Sequence, residues 1–421
     1  GLYHVFYQAN PTTAAPSTGY DMHWGHSVSQ DLVRWEEWPV ALYPDASGQC
    51  YSGTACMIRH PVAGLTEGLE LPAPALFFAA TTPFSQHLAT SADRGRTWQR
   101  YPGNPVVPNR GEKDRDPKVI WHEASAHYVM VLFVGGPDTY RILRSKDLIN
   151  WEPVSILPNW YECPEFFPVK SPTTGEELWL LYGCYRNKDE ANGPVFTSAS
   201  CYQLGRFDGQ TFTPVSPLRD AHHGPNFDGA LIFANEPSDR AVMMGWARYS
   251  RFPGEPFNQC ATVPLLLSIK AIDGADTLCF EPAPEVDTLR GPPILNLTGV
   301  SATEAASALE MLTRDTPVDV SVWLHPTTRE TIRVRVREWV LEYDPVSHAL
   351  SQGDQSTVIH PGETVEARFL IDTSFVESFW NGGEAAYAKS SLHTDGGPAF
   401  AVEGEVWIEE LVVYPMADIW E

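Results

Sequence analysis

One phrase returns four times along this chain. "SVSQDLVRWEEW" leads to Trp35, "ATSADRGRTWQRY" to Trp98, "LRSKDLINWEPV" to Trp151, and a worn "LGRFDGQTFTPV" to Phe212. Each reads as a strand, a turn anchored on an aspartate (Asp31, Asp93, Asp147, Asp208), and an aromatic residue opening the next strand. The aromatic residues are 63, 53 and 61 residues apart, a period that suits one four-stranded propeller blade, with the phrase marking the hairpin between its third and fourth strands. A chain with 36 Pro, 31 Gly and 49 aromatic residues among 421 has the short turns and bulky strands that an all-β architecture uses.

The rest of each blade can be read between the phrases. "YSGTACMI" and "ALFFAATTP" belong to the second blade, "RDPKVIWHE" and "HYVMVLFVG" to the third. "ECPEFFPVK" and "LWLLYGCYR" make the fourth; "NFDGALIFA", "AVMMGWARYSRF" and "ATVPLLLSIKA" make the fifth. The first blade opens with "YHVFYQ", which matches the second strands of the others. By this internal comparison its innermost strand, roughly fifteen to twenty residues, is expected to be missing. "LRGPPILNL" then marks a boundary. Beyond it, alternating strands such as "TIRVRVREWVLEYD" and "VEARFLIDTSFVESFWNGG" predict a β-sandwich. The expected organisation is all-β: a five-bladed propeller over residues 1–290 and a sandwich over 291–421, with "SATEAASALEML", the one short helical-looking stretch, read as a loop turn.

No stretch of eighteen apolar residues occurs, so nothing reads as a membrane span. A net charge of −24 disfavours nucleic acid and anionic lipid as partners and is indifferent to neutral sugars. Seven cysteines without a CxxC pair suggest neither a metal site nor a dense disulfide framework. His222 and His223 in "AHHGPNF" read as an exposed loop pair, and no metal or other cofactor is expected. Asn296 heads a single glycosylation sequon. Localisation stays open, with the acidic, Trp- and Pro-rich composition leaning towards secretion; oligomeric state is equally open.

Propeller sites lie where innermost strands converge. The third blade offers Arg115-Asp116-Pro117 there, and the fourth offers Glu162-Cys163-Pro164. Asp116 is flanked by Arg115, Lys113 and Lys118, which should keep it ionised; Glu162 sits among Trp160, Tyr161, Phe166 and Phe167, where desolvation should favour its protonated form. One charged and one neutral carboxylate is the division that acid-assisted glycoside cleavage requires. The bland reading of the same residues is an Asp–Arg pair that staples strands and a Glu on the rim.

At this point the chain resembles glycoside hydrolase family 32, the β-fructosidases: invertases, inulinases, levanases and related fructosyltransferases. The resemblance covers nearly the whole chain and rests on seven segments in order: "YHVFYQANP", "HWGHSVSQDLVRWEEWPVAL", "YSGTA", "RDPK", "ECPEFF", "GWARYSRFPGEPFNQCATVPLLLSI" and "FLIDTSFVESFWNGGEA". It implies a five-bladed propeller followed by a β-sandwich, and a retaining β-fructosidase acting on terminal fructosyl units of sucrose or fructans. Glu162 would be the general acid/base, Asp116 a transition-state stabiliser holding fructose hydroxyls, and Arg115 their orienting partner. Gln8, Trp24, Tyr51, Ser52 and Trp246 would line the fructose pocket, with Cys163 following the acid/base. Trp24 and Trp246 are also readable as inter-blade packing. The family's nucleophile is the Asp of an Asn-Asp-Pro motif just upstream of "YHVFYQ", and these 421 residues contain no Asn-Asp-Pro. Asp228 and, behind it, Asp21 are the substitutes considered. The alternatives are a fructosyltransferase and a catalytically silent fructan-binding relative.

Overall fold

The computed structural model describes residues 1–12, 21–185, 187–189, 193–195, 200–238, 240–255, 257–353, 355–392 and 397–419. Two compact units are resolved. The first comprises Gly1–Lys170, Gly175–Asp220 and Gly229–Arg240; the second comprises Ser171–Thr174, Ala221–Asp228 and Ala241–Glu421. Among the described residues no helix is long and apolar enough to cross a membrane.

The first unit is built of antiparallel meanders. Strands Tyr3–Ala9, His23–Ser29 and Trp35–Leu42 pair in chain order, and Cys50–Ile58, Ala73–Thr81, Phe84–Thr90 and Gln99–Arg100 form the next sheet. Arg115–His122, His127–Val134, Thr139–Ser145 and Glu152–Pro158 form the third. Trp160–Lys170, Glu177–Tyr185, Ser200–Phe207 and Phe212–Pro214 form the backbone of the fourth. The leading strands of the second, third and fourth meanders are spatial neighbours in sequence order, as innermost propeller strands are.

The repeated phrase has a physical basis in each meander. Asp31 accepts from the backbone N–H of Val33 and Arg34, and Asp147 does the same for Ile149 and Asn150. Asp93 holds Thr97, and Asp208 holds Gln210 and Thr211. These are Asx turns in which the carboxylate satisfies amides that the hairpin leaves unpaired. The indoles of Trp35 and Trp151 then donate back to the carbonyls of Leu32 and Leu148, both in the left-handed region (φ 65° and 64°). The apolar strand faces between these hairpins bury Phe77, Met130, Leu132, Leu143 and Leu148 in one core and Phe133, Tyr140, Trp160, Phe166 and Trp179 in the next.

In the second unit, Ala241–Ala247, Leu265–Ile272 and Ala275–Pro282 form a further antiparallel meander. A 3-10 turn at Pro284–Leu289 ends it, and the strands beyond make two sheets. One has six strands and includes Leu295–Ser301, Val318–Pro326, Val365–Ile371, Phe375–Trp380, Ala385–Ser390 and Val406–Pro415; the other has five. Their facing sides meet in a single apolar cluster around Val320, Val334, Leu341, Phe369, Trp380 and Ile408. The architecture is therefore the β-propeller and β-sandwich that the pattern predicts.

Two local readings change. The segment read as a loop turn is an α-helix, Ala302–Leu309, closed by a capping box: Ser301 accepts from the Glu304 amide and Glu304 accepts from the Ser301 amide. Four alanines and a Ser-x-x-Glu start carry that helix. His222 is also not an exposed loop residue. It is 2% exposed and stacks on Phe227 with ring centroids 3.7 Å apart, while His223 lies against Tyr387.

Candidate active site

The leading strands of three successive meanders each break register once, in the same place relative to the cleft. The ladder from Cys50–Ala80 to Gly53–Phe78 carries one extra residue on the inner strand, so Tyr51 and Ser52 leave the regular pairing. Arg115 pairs Phe133 and Lys118 pairs Val131, which frees Asp116 and Pro117. Tyr161 pairs Cys184 and Glu165 pairs Tyr182, which frees Glu162, Cys163 and Pro164. A proline cannot donate to a ladder, so Pro117 and Pro164 favour these bulges, and a bulge re-aims the side chains it contains. Asp116, Glu162 and Cys163 all have positive φ (58°, 33° and 50°). Non-glycine residues in that region are strained and persist only where the surrounding structure imposes them.

The bulges converge. Ser52, Asp116 and Cys163 line one recess together with Gly53, Pro117, Pro164, Gly229 and Leu231. Gly53 is required there, since a Cβ at that position would overlap the Phe77 carbonyl. Gln8 is joined to the group by a hydrogen bond from its amide to the Ser52 hydroxyl (3.2 Å). Trp24 is 5% exposed and packs with Phe6 and Phe78; its indole donates to the Tyr51 carbonyl (3.0 Å), so it supports the first bulge from behind. Tyr51 stands edge-on to Phe84.

Arg115 is the hub. Its Nε donates to Glu162 Oε1 (3.0 Å), its Nη2 reaches the same oxygen, and Nη1 donates to the Lys113 carbonyl (2.7 Å). The guanidinium lies 4.6 Å from the Phe133 ring and 5.7 Å from that of Tyr161, which fixes its plane. Asp116 stands farther off, 3.9 Å from Arg115 Nε, and accepts from the Cys163 amide (3.2 Å).

This arrangement revises the expected division of charge. Arg115 spends its fork on Glu162, Lys113 is exposed, and Lys118 turns to a different carboxylate, so the cations near Asp116 in sequence do not surround it in space. Burial, reinforced by the negative charge of Glu162 and opposed by Arg115, pushes Asp116 up to about 7. Glu162 is one-third exposed and ion-paired. The aromatic ring of Phe166, expected beside it, packs instead with Trp179, Phe207 and Phe212.

Trp246, Asp228 and Asp21 are not among the residues that line this recess. Trp246 is on Ala241–Ala247 in the second unit, 41% exposed, with the Arg248 guanidinium 5.4 Å from its ring. Asp228 in the same unit is ion-paired to Arg248 (2.6 Å). The Asp21 carbonyl accepts from the His23 ring.

Three supporting residues escaped the sequence reading. Tyr140 is fully buried and donates to the carbonyls of both Tyr161 (3.0 Å) and Glu162 (2.6 Å), pinning the fourth-meander bulge. Gly183 leaves the room Tyr140 needs, since a Cβ there would overlap its hydroxyl. Asp114 caps the approach to Arg115 by accepting from the amides of Arg110 and Gly111. Only the two prolines inside strand-like text signalled any of this.

The Glycosyl hydrolases family 32 N-terminal domain matches residues 1–282. The chain belongs to glycoside hydrolase family 32. It is 29% identical to a levanase of Bacillus subtilis over all of this chain and 67% of that protein. It is 28% identical to an invertase of Schizosaccharomyces pombe over 65% of this chain and 49% of that protein. An extracellular exo-inulinase of Meyerozyma guilliermondii is 30% identical over 58% of this chain and 49% of its own length. The chain thus spans about half to two-thirds the length of these relatives. Its fold superposes on the crystal structure of exo-inulinase from Aspergillus awamori with a TM-score of 0.82 at 22% identity, covering 100% of this chain and 94% of the other. Fructan 1-exohydrolase IIa from Cichorium intybus gives 0.75 at 20% identity over 99% and 93%.

Proposed function

We propose that this family 32 chain is a β-fructosidase that cleaves terminal fructosyl units from sucrose or a fructan such as levan or inulin, with retention of configuration. The observation that supports the reading is the meeting of two bulged strands, with Glu162 3.0 Å and Asp116 3.9 Å from the Arg115 Nε, beside a recess. The names of its relatives, levanase, invertase and exo-inulinase, support the substrate class.

In this reading Glu162 protonates the glycosidic oxygen as the fructosyl bond lengthens, and takes a proton from the incoming water in the second half-reaction. Arg115 orients its carboxylate and balances the charge that appears when the proton leaves. Asp116 binds fructose hydroxyls from the recess wall, with Gln8, Ser52, Tyr51 and Cys163 shaping the rest and Trp24 holding Tyr51 in place. Asp116, with its proton affinity raised to about 7, gives the site one proton to hold near neutrality. Retention also requires a nucleophilic carboxylate about 5–5.5 Å from the acid, which attacks the anomeric carbon as the leaving oxygen is protonated. We further propose residues 1–290 as the propeller domain and 291–421 as the sandwich.

The test is product analysis of sucrose, inulin and levan incubated with the chain, with Glu162→Gln as control. Free fructose that the control does not release supports hydrolysis. Longer fructosyl products at high sucrose would move the assignment to transfer. Binding without turnover in parent and control alike would make the chain a fructan-binding relative.

A further inference from the structure

Beneath the two carboxylates lies a second pair of charges that the chemistry above does not use. Lys118 Nζ and Glu165 Oε2 are 2.6 Å apart, and both side chains are almost wholly inaccessible, at 5% and 0%. Lys118 also donates to the Ile232 carbonyl (3.4 Å). A buried ion pair contributes little to stability compared with well-packed apolar residues, because desolvating both charges costs about what their attraction returns. Its position in the strands is more informative than its energy.

Lys118 is the residue at which pairing resumes after the Asp116–Pro117 bulge, and Glu165 is the residue at which it resumes after Glu162-Cys163-Pro164. The pair therefore joins the closing ends of the two bulges. The bond to Ile232 extends the link to the segment that supplies Gly229 and Leu231 to the recess wall. Within each bulge the ladder provides no register, and the strained φ values of Asp116, Glu162 and Cys163 have to be imposed from outside. Arg115 restrains the carboxylate tips from one side. Among the described residues, the Lys118–Glu165 pair is the charged contact that ties the two strands together on the other side of the bulges.

We propose that Lys118 and Glu165 are a positioning pair: a buried electrostatic tie that sets the spacing of the Asp116 and Glu162 bulges and so holds the acid in register with the fructosyl subsite. This rests on the reading of Glu162 and Asp116 as the reacting and binding carboxylates. Effective positioning of this kind is worth orders of magnitude in rate, and small displacements forfeit much of it.

The experiment uses two variants of the full chain. Lys118→Met/Glu165→Met replaces both charges with side chains of similar volume, so no buried charge is left unpaired; Glu165→Gln keeps the shape and removes one charge. Thermal melts establish folding. Fructose release from sucrose gives kcat, KM and the pH profile, and titration calorimetry with fructose gives binding without turnover. The double variant is expected to melt near the parent, while kcat falls by about 10-fold or more, KM changes less, and the pH profile shifts; Glu165→Gln, which leaves the Lys118 charge buried without its partner, should melt lower and lose at least as much kcat. A folded double variant with the parental kcat, pH profile and fructose affinity would overturn the inference, as would failure of both variants to fold, which would mark the pair as purely structural. Undiminished release by Glu162→Gln would instead defeat the reading of the site. Should the parent release no fructose, the proposed function fails and the calorimetry alone decides whether the pair shapes the subsite. A parent that neither releases nor binds fructose would overturn both.

Discussion

The cleft strands and the sandwich strands come from similar text and behave differently. In the six-stranded sandwich sheet, Val318–Pro326 keeps register with Val365–Ile371 from end to end and slips once against Val406–Pro415, between Trp323 and Leu324. Its inward positions are Val, Leu, Ile, Phe and Trp at or near zero exposure. The inner strands of the three cleft-forming meanders each slip once, and the residues at the slip are Ser52, Asp116 and Glu162. A regular ladder satisfies every amide and turns side chains alternately to two faces. A slip changes which way the residues inside it face. The cleft strands give up regularity at Ser52, Asp116 and Glu162, whereas Val318–Pro326 keeps it throughout against Val365–Ile371.

The largest way to break this contrast acts on the cleft. Glu162→Gln should lower fructose release by about 10²–10⁴-fold, the usual range for a positioned general acid, while the melting temperature stays near the parent. A loss of only a few-fold would mean that the bulged carboxylate is not the proton donor.

The corresponding cut in the sandwich should do the reverse. Trp380 is fully buried, edge-on to Phe369, with its indole donating to Ser378. Trp380→Ala should cost about 3–5 kcal/mol, read as a lowered midpoint of the denaturant transition, with KM unchanged in the protein that remains folded. A changed KM at low denaturant would show that the two regions are less separable than this account holds.

A subtler prediction uses titration. Asp116 is held at about 7 when folded against an ordinary 3.8, so the native state binds a proton that the unfolded chain has released. Its contribution to stability is fully present below about pH 4 and is lost as pH rises through 7. Asp116→Asn removes that slope, and the melting temperature of the variant relative to the parent should therefore climb from pH 4 to pH 8. Glu377 in the sandwich, pushed by burial to about 8, should give the same sign for Glu377→Gln over a window reaching about one pH unit higher. A flat difference across these windows would contradict the stated environments.

The smallest effect is local. Ser301→Ala removes the capping box from Ala302–Leu309 and should cost about 1 kcal/mol, seen as a small loss of thermal stability with no change in fructose release.

Much of this was legible in the sequence and some was not, for identifiable reasons. The Asp-anchored hairpins at Asp31, Asp93, Asp147 and Asp208 were readable because such a turn is a local device, complete within five residues. The strands were readable from their alternation, and Asp116 and Glu162 from matched places in adjacent repeats. The charge environment was misread because neighbours in sequence were taken as neighbours in space. At a bulge that inference fails, and Lys118, two residues from Asp116, points to Glu165 on another strand. Tyr140 was invisible for the same reason, since its hydroxyl serves carbonyls more than twenty residues away. The stretch at Ala302 looks helical in the text, and Ser301-x-x-Glu304 is the local signal that separates a helix from a loop turn there.

The most direct test of the central claim is a crystal structure of Glu162→Gln with bound sucrose. The account predicts the fructosyl ring in the recess bounded by Ser52, Asp116 and Cys163, with a ring hydroxyl on Asp116 and the glycosidic oxygen beside residue 162. Sucrose bound away from the bulged strands, or a recess that stays closed to it at saturating concentration, would contradict it.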